Sequence, residues 1–257
     1  MRFVSLICCV CAGLLIAGCA STLSEDILSP SDLSLEELEV RRNAATDPEG
    51  RFAASTSYVM RQEIVERYWL NDDVIRMVEV KFAKPDKMAL ITYENNKPST
   101  VFCTDGERGW LCYYSDRRIV QFDEAGLRRM QMLANLGRPG AGSYRSIFAR
   151  VEVFLCTKDE GRFYRIDCYG EESPYPVCFY LDAESYLPRQ VRMKVPVADG
   201  SYVDYINRIK DYEMRDGVNI PMTTVVEQDG VVHECKVIFY QLNPGFADSE
   251  FLPPVFQ

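Results

Sequence analysis

From residue 57 to residue 242 the chain repeats one pattern. Short runs of alternating apolar and polar residues are broken by clusters of Asn, Asp, Gly and Pro. Alternation with period two marks half-buried strands, and such clusters between them mark hairpin turns. The pattern predicts strands over 57–70, 74–83, 87–93, 99–104, 110–114 and 118–122. After an interruption, strands resume over 147–156, 162–169, 177–181, 187–195, 202–212, 222–228 and 231–242. The run after Leu187 alternates most clearly, with Val191, Met193 and Val195 on one face and Gln190, Arg192 and Lys194 on the other. Turns are carried by Asn95-Asn96, Asp216-Gly217 and Asp229-Gly230, among others.

Helical spacing occurs in two places. Ser34-Leu35-Glu36-Glu37 has the form of a capping box and opens a helix over about 35–45, which Asp47-Pro48-Glu49-Gly50 ends. Leu127, Met130, Leu133 and Ala134 recur at helical spacing over 123–136, with Asp123 placed to cap and Gly137 to stop. A sheet of twelve or thirteen strands must curl, and a curled sheet has a concave face to cover. The expected fold is therefore mainly β: a large curled antiparallel sheet, a half-open β-barrel, with a short N-terminal helix. The mid-chain helix is expected to cover the concave face as a lid, with Gly137–Gly142 letting it swing.

The first residues change the picture. Arg2 precedes an apolar run over 3–17, too short to cross a bilayer and fitting the core of a secretory signal. Ile16-Ala17-Gly18-Cys19 at its end resembles the bacterial lipobox. That resemblance implies cleavage before Cys19 and acylation of its sulfur. Residues 1–18 are then signal peptide, 19–33 the lipidated N-terminus with a Ser-rich tether, and 34–257 a single β domain. Ala20 follows Cys19, with no Asp to signal retention at an inner membrane, so the expected location is the outer membrane, facing the periplasm.

Charge narrows the partners. The chain has 29 Lys and Arg against 38 Asp and Glu, a formal charge of −9, and losing Arg2 makes the mature protein more negative still. A surface this acidic argues against nucleic acid, which needs phosphate-neutralising cations, and against a polybasic membrane patch. Membrane attachment is left to the N-terminal lipid.

After processing, six cysteines remain: Cys103, Cys112, Cys156, Cys168, Cys178 and Cys235. An even number in an exported protein favours disulfides. Cys103–Cys112 and Cys168–Cys178 lie symmetrically about predicted turns and are the expected bridges; Cys156 and Cys235 would pair only by parity. With His233 the sole histidine and no Cys-x-x-Cys, no metal site and no cofactor are expected.

Candidate chemistry is sparse. His233 falls within a strand, and there is no Gly-x-Ser-x-Gly elbow. Ser143 stands where a phosphate loop over 137–143 would need Lys. Glu171-Glu172 and Asp72-Asp73 fall among turn residues. No enzyme is expected. The apolar candidates are Val78, Val80, Phe82, Met88, Leu90, Trp110, Leu127, Met130, Leu133, Val191 and Met193, read as the lining of an apolar cavity.

Several fragments in order resemble the periplasmic lipoprotein-carrier superfamily, which includes LolA-like carriers, LolB-like receptors and outer membrane lipoprotein-sorting proteins. They are Phe82-Ala83-Lys84-Pro85-Asp86-Lys87-Met88, Asp105-Gly106 with Gly109-Trp110, and Tyr186-Leu187-Pro188-Arg189. Asp216-Gly217-Val218-Asn219-Ile220-Pro221 and Phe251-Leu252-Pro253-Pro254 complete the set. The resemblance implies a half-open barrel whose concave face binds lipid or lipoprotein acyl chains, without chemistry. A periplasmic carrier or another envelope protein would be the partner. The alternative is a structural or sensory envelope lipoprotein that uses the same barrel for protein contacts.

Overall fold

A computed structural model of the protein describes residues 26–67, 74–124, 126–127, 143–158, 160–170, 173–197 and 200–256. Cys19, Asp72-Asp73, Met130, Leu133, Gly137–Gly142 and Glu171-Glu172 lie outside the described residues, as does the lid expected beyond Leu127.

The strands, numbered in chain order, are β1 (Ile27–Pro30), β2 (Ser57–Arg67), β3 (Val74–Ala83), β4 (Lys87–Glu94), β5 (Lys97–Thr104), β6 (Gly109–Tyr113) and β7 (Arg118–Gln121). They continue as β8 (Arg150–Lys158), β9 (Gly161–Tyr169), β10 (Val177–Asp182), β11 (Pro188–Pro196), β12 (Tyr202–Arg215), β13 (Val218–Gln228) and β14 (Val231–Leu242). All belong to one antiparallel sheet in the order β1-β8-β9-β10-β11-β12-β13-β14-β2-β3-β4-β5-β6-β7. Pairing of β14 with β2 joins the two hairpin runs, and the sheet stays open between β1 and β7.

The hairpin turns follow from their residues. Asn95 and Asn96, Asp216 and Gly217, and Asp229 and Gly230 all have positive φ, as tight two-residue hairpins with the strands' own twist require. Strand β13 begins at Val218, before the expected start at residue 222. Pro221 is accommodated inside it because it faces Tyr212 beside a register shift in β12, where the ladder is already broken.

The first strand departs from the expected tether. Ile27–Pro30 pairs with β8 and forms the sheet edge. Four residues ending in Ser-Pro carry too little alternation to read as a strand, yet Asp26 just before them is fixed by three partners. It accepts hydrogen bonds from Tyr180 Oη at 2.7 Å and Arg165 Nη1 at 2.8 Å, and lies 3.2 Å from Lys158 Nζ. Residues 26–30 thus already belong to the sheet, ahead of the domain start expected at residue 34.

Helix α1 (Leu35–Thr46) starts at the expected capping box: Ser34 Oγ accepts from the Glu37 N–H, and the Ser34 N–H donates to the Glu37 carboxylate. Leu35 and Leu38 are buried against Tyr164, Ile166, Cys168, Phe179 and Leu181 of β9 and β10, with Tyr144 and Phe148. The N-terminal helix therefore covers one part of the concave face itself. Helix α2 (Arg51–Ala54) adds Phe52, which packs on Val218, Ile220, Met222 and Val237 of β13 and β14. At the expected start of the mid-chain helix, Asp123 closes a single turn: its Oδ1 accepts from the Gly126 N–H at 2.7 Å, and its carbonyl accepts from the Leu127 N–H.

Candidate functional site: the concave face

Register determines which side chains share the concave face. On β3, Val78, Val80 and Phe82 stand opposite Thr92, Leu90 and Met88 of β4. Directly opposite residues of an antiparallel pair point to the same side. Through β2 and β14 the same side continues to Val226 of β13 and Asn207 of β12, and from there to Val191 of β11. It is the side that α1 and α2 cover.

Val78, Val80, Phe82, Met88, Leu90, Val191 and Met193 therefore all line one surface. Val78, Val80, Leu90 and Met193 join Ile64, Tyr205, Val226 and Cys235 in a single apolar cluster, while Phe82 and Met88 pack with Phe102 and Leu111. Burial is uneven. Val78, Phe82 and Met88 are buried, whereas Val80, Leu90, Val191 and Met193 point inward yet are only half-buried. These four therefore keep part of their apolar surface uncovered on the concave side.

The face is graded along the strands. At one end Phe52, Tyr58, Phe82 and Tyr240 form a set of rings, with centroids 5.4 Å apart for Phe52–Tyr58 and for Tyr58–Phe82, and 6.4 Å for Tyr58–Tyr240. Toward the other end of β2 and β3 lies a polar group. Glu66, 1 % exposed, accepts from Arg76 Nη1 at 2.6 Å, and His233, 2 % exposed, faces Glu66 across the ladder. Burial holds the His233 imidazole below its ordinary pKa, only partly countered by the Glu66 charge. His233 thus sits neutral beside the Glu66–Arg76 pair, and its Nδ1 makes no hydrogen bond among the described residues. Nothing in the pattern of residues 232–234 distinguished this placement from an edge position, and Glu66 and Arg76 were missed because each occupies an ordinary alternating slot.

Leu127 caps the far edge. A Cβ built on Gly109 would stand 3.1 Å from Leu127 Cδ1 and 3.2 Å from the Phe122 ring, so this glycine allows Leu127 to approach β6. Trp110 is a correction. It neighbours Gly109 and so points through the opposite, convex face, where it is buried with Ala89, Val101, Cys103, Cys112 and Phe251. The C-terminal segment, irregular as expected, lies over that patch through Phe246, Phe251 and Phe256.

The cysteines also require correction. All six are buried free thiols. Cys168 faces Val177 and Cys178 faces Asp167, so the two sulfurs emerge from opposite faces of the sheet and the expected bridge cannot form. Cys103 and Cys112 share the convex face, offset by two residues, because Cys103 faces Trp110 and Cys112 faces Val101. Their thiols are hydrogen-bonded, which raises the pKa of Cys103 and lowers that of Cys112. Cys156 and Cys235 belong to separate clusters on different parts of the sheet.

No protein-family model matches the sequence, and no curated protein matches it. Solved structures do. A LolA superfamily protein from Nitrosomonas europaea superposes with a TM-score of 0.56 at 10 % identity, covering 86 % of this chain and 98 % of that one. An outer membrane lipoprotein-sorting protein domain from Vibrio parahaemolyticus gives 0.55 at 13 % identity, with 85 % and 97 % covered. A DUF1329 family protein from Desulfovibrio piger gives 0.55 at 10 % identity, with 85 % and 95 % covered. The curled open sheet with its covered concave face is the LolA-like fold.

Proposed function

We propose that the protein is a lipid-anchored envelope protein that binds lipid or lipoprotein acyl chains on its concave face and serves lipoprotein or lipid sorting toward the outer membrane. The observation that carries this reading is the set Val80, Leu90, Val191 and Met193: large aliphatic side chains turned inward on a LolA-like sheet yet only half-buried. A guest chain completes their burial, and each methylene removed from water contributes about 0.8 kcal/mol. The gradient from the Tyr58 and Phe82 rings to the Glu66–Arg76 pair suits a guest with an apolar tail and a polar end. Cys19 supplies the anchor.

The test is extraction of the purified chain followed by mass spectrometry of bound lipid. The parent should carry acyl lipid, and Leu90→Asp should lose most of it while keeping its far-UV spectrum. A lipid-free parent that also takes up no added fatty acid would reject the reading and favour a barrel used for protein contacts.

A further inference from the structure

A pocket lies on the convex side, where the acyl-chain reading has no use for it. It encloses about 230 Å³ and is lined by Arg165, Tyr175, Cys178, Arg192, Lys194 and Asp204, with Tyr180, Pro176 and Met193 completing its wall. Arg165 is already committed: it donates to Asp167 through Nε and Nη2 at 2.6 and 2.8 Å, and to Asp26. Arg192 and Lys194 are not held in this way. Among the described residues both approach Asp204 Oδ1, at 3.6 and 3.3 Å, longer than the 2.7–2.9 Å typical of charge-assisted hydrogen bonds. That oxygen is buried and accepts no hydrogen bond among the described residues. Tyr175, exposed and braced edge-on against Tyr202 at 5.0 Å, forms the rim, with Lys194 Nζ 5.7 Å from its ring centre.

The site thus offers two loosely engaged cations beside a carboxylate oxygen that they pair with by charge but that makes no hydrogen bond among the described residues. A phosphate diester fits the cations, and a hydrogen-bond donor two carbons from that phosphate fits Asp204. Phosphoethanolamine and phosphoglycerol headgroups carry both features; phosphocholine carries the phosphate without the donor.

The position of the chain's start selects the membrane as the source. Asp26 is bonded to Tyr180 and Arg165, both of which line the pocket. Only six residues separate Asp26 from Cys19. At roughly 3.6 Å per extended residue, an acylated Cys19 holds the bilayer within about 25 Å of the pocket's edge. We infer that the convex pocket at Arg192, Lys194 and Asp204 binds a phospholipid headgroup of the anchoring membrane, docking the body convex side down with its concave face turned to the periplasm. The inference rests on Cys19 being the anchor.

The test titrates soluble headgroups into the full chain in detergent. The methyl phosphodiesters of ethanolamine and glycerol should bind saturably, and the methyl phosphodiester of choline, which has no N–H or O–H, about tenfold more weakly. Arg192→Gln and Lys194→Gln should each weaken binding about tenfold, and Asp204→Ala should erase the preference against choline. Tyr175→Ala, on the exposed rim, gives a variant that spares the sheet, and unchanged far-UV spectra select the variants read. No saturable binding, equal binding of choline, or indifference to all four substitutions would overturn the proposal. Equally tight inorganic phosphate would replace the headgroup with a free-phosphate site. The mass of the N-terminal peptide from the same preparation reports on Cys19 separately, so loss of the anchor and loss of the pocket remain distinguishable.

Discussion

Cys168 and Cys178 sit on neighbouring strands but on opposite faces of the sheet, because Val177 and not Cys178 stands across from Cys168. One step of register separates the two arrangements, and a step of one reverses every side chain. Burial pushes Cys178 up to about 12, and it raises Cys168 as well, so both are protonated and unreactive at neutral pH. Peptide mapping under non-reducing conditions should find neither in a Cys168–Cys178 bridge. A linked peptide containing both would mean that the register of β9 and β10 is wrong.

Cys103 and Cys112 share one face, but they are diagonal and not opposite, because Cys103 faces Trp110 and Cys112 faces Val101. A diagonal pair stands farther apart than a disulfide spans without backbone movement, so both should stay reduced in the folded protein. A Cys103–Cys112 linked peptide from protein isolated without reductant would contradict this.

His233 should give acid sensitivity. Its folded pKa lies below the ordinary 6.5, mainly through desolvation. The unfolded chain therefore binds the proton first, and stability that is full above about 6.5 declines as pH falls from there toward the folded pKa. Asp26 acts in a separate, lower window. Burial alone would raise its pKa, but the Tyr180 hydrogen bond and the Lys158 and Arg165 charges outweigh it and leave the pKa below 3.8. Its contribution is present above 3.8 and is lost below. Urea midpoints between pH 7.5 and 5 should fall for the parent and stay flatter for His233→Gln; parallel slopes would assign the acid loss elsewhere.

Gly109→Ala should cost about 1–3 kcal/mol by overpacking against Leu127 and Phe122. Pairing it with Leu127→Ala should recover part of the loss. Independent, additive effects in a thermal-melt cycle would show that Leu127 does not rest on β6.

Stability and binding should separate along the concave face. Leu38→Ala, at a fully buried position under α1, should cost about 2–5 kcal/mol. Leu90→Ala, half-buried, should cost less than half as much yet weaken fatty-acid binding more. The reverse ranking in melts would mean that Leu90 is ordinary core.

Much of this arrangement was legible in the chain, and what was not has a common cause. Alternation located the hairpins because each strand has one wet and one dry face over part of its length, and the Ser34–Glu37 box announced α1 through local hydrogen bonds alone. Alternation does not say which face is concave. Val80 and Trp110 both looked like cavity lining, yet Trp110 is buried on the convex side because the C-terminal rings of Phe246, Phe251 and Phe256 cover it. Strand β1 was hidden because its order comes from the distant partners of Asp26 and not from its own four residues. Glu66, Arg76 and His233 were equally opaque, since only the ladder brings residues from β2, β3 and β14 together.

The most direct test of acyl-chain binding on the concave face is photolabelling of the purified chain with a diazirine-bearing fatty acid, followed by peptide mapping. Adducts should fall on peptides carrying Val80, Leu90, Val191 or Met193, and competition with unlabelled fatty acid should remove them. Adducts confined to convex positions such as Val101 or Trp110, or spread without competition, would contradict the account.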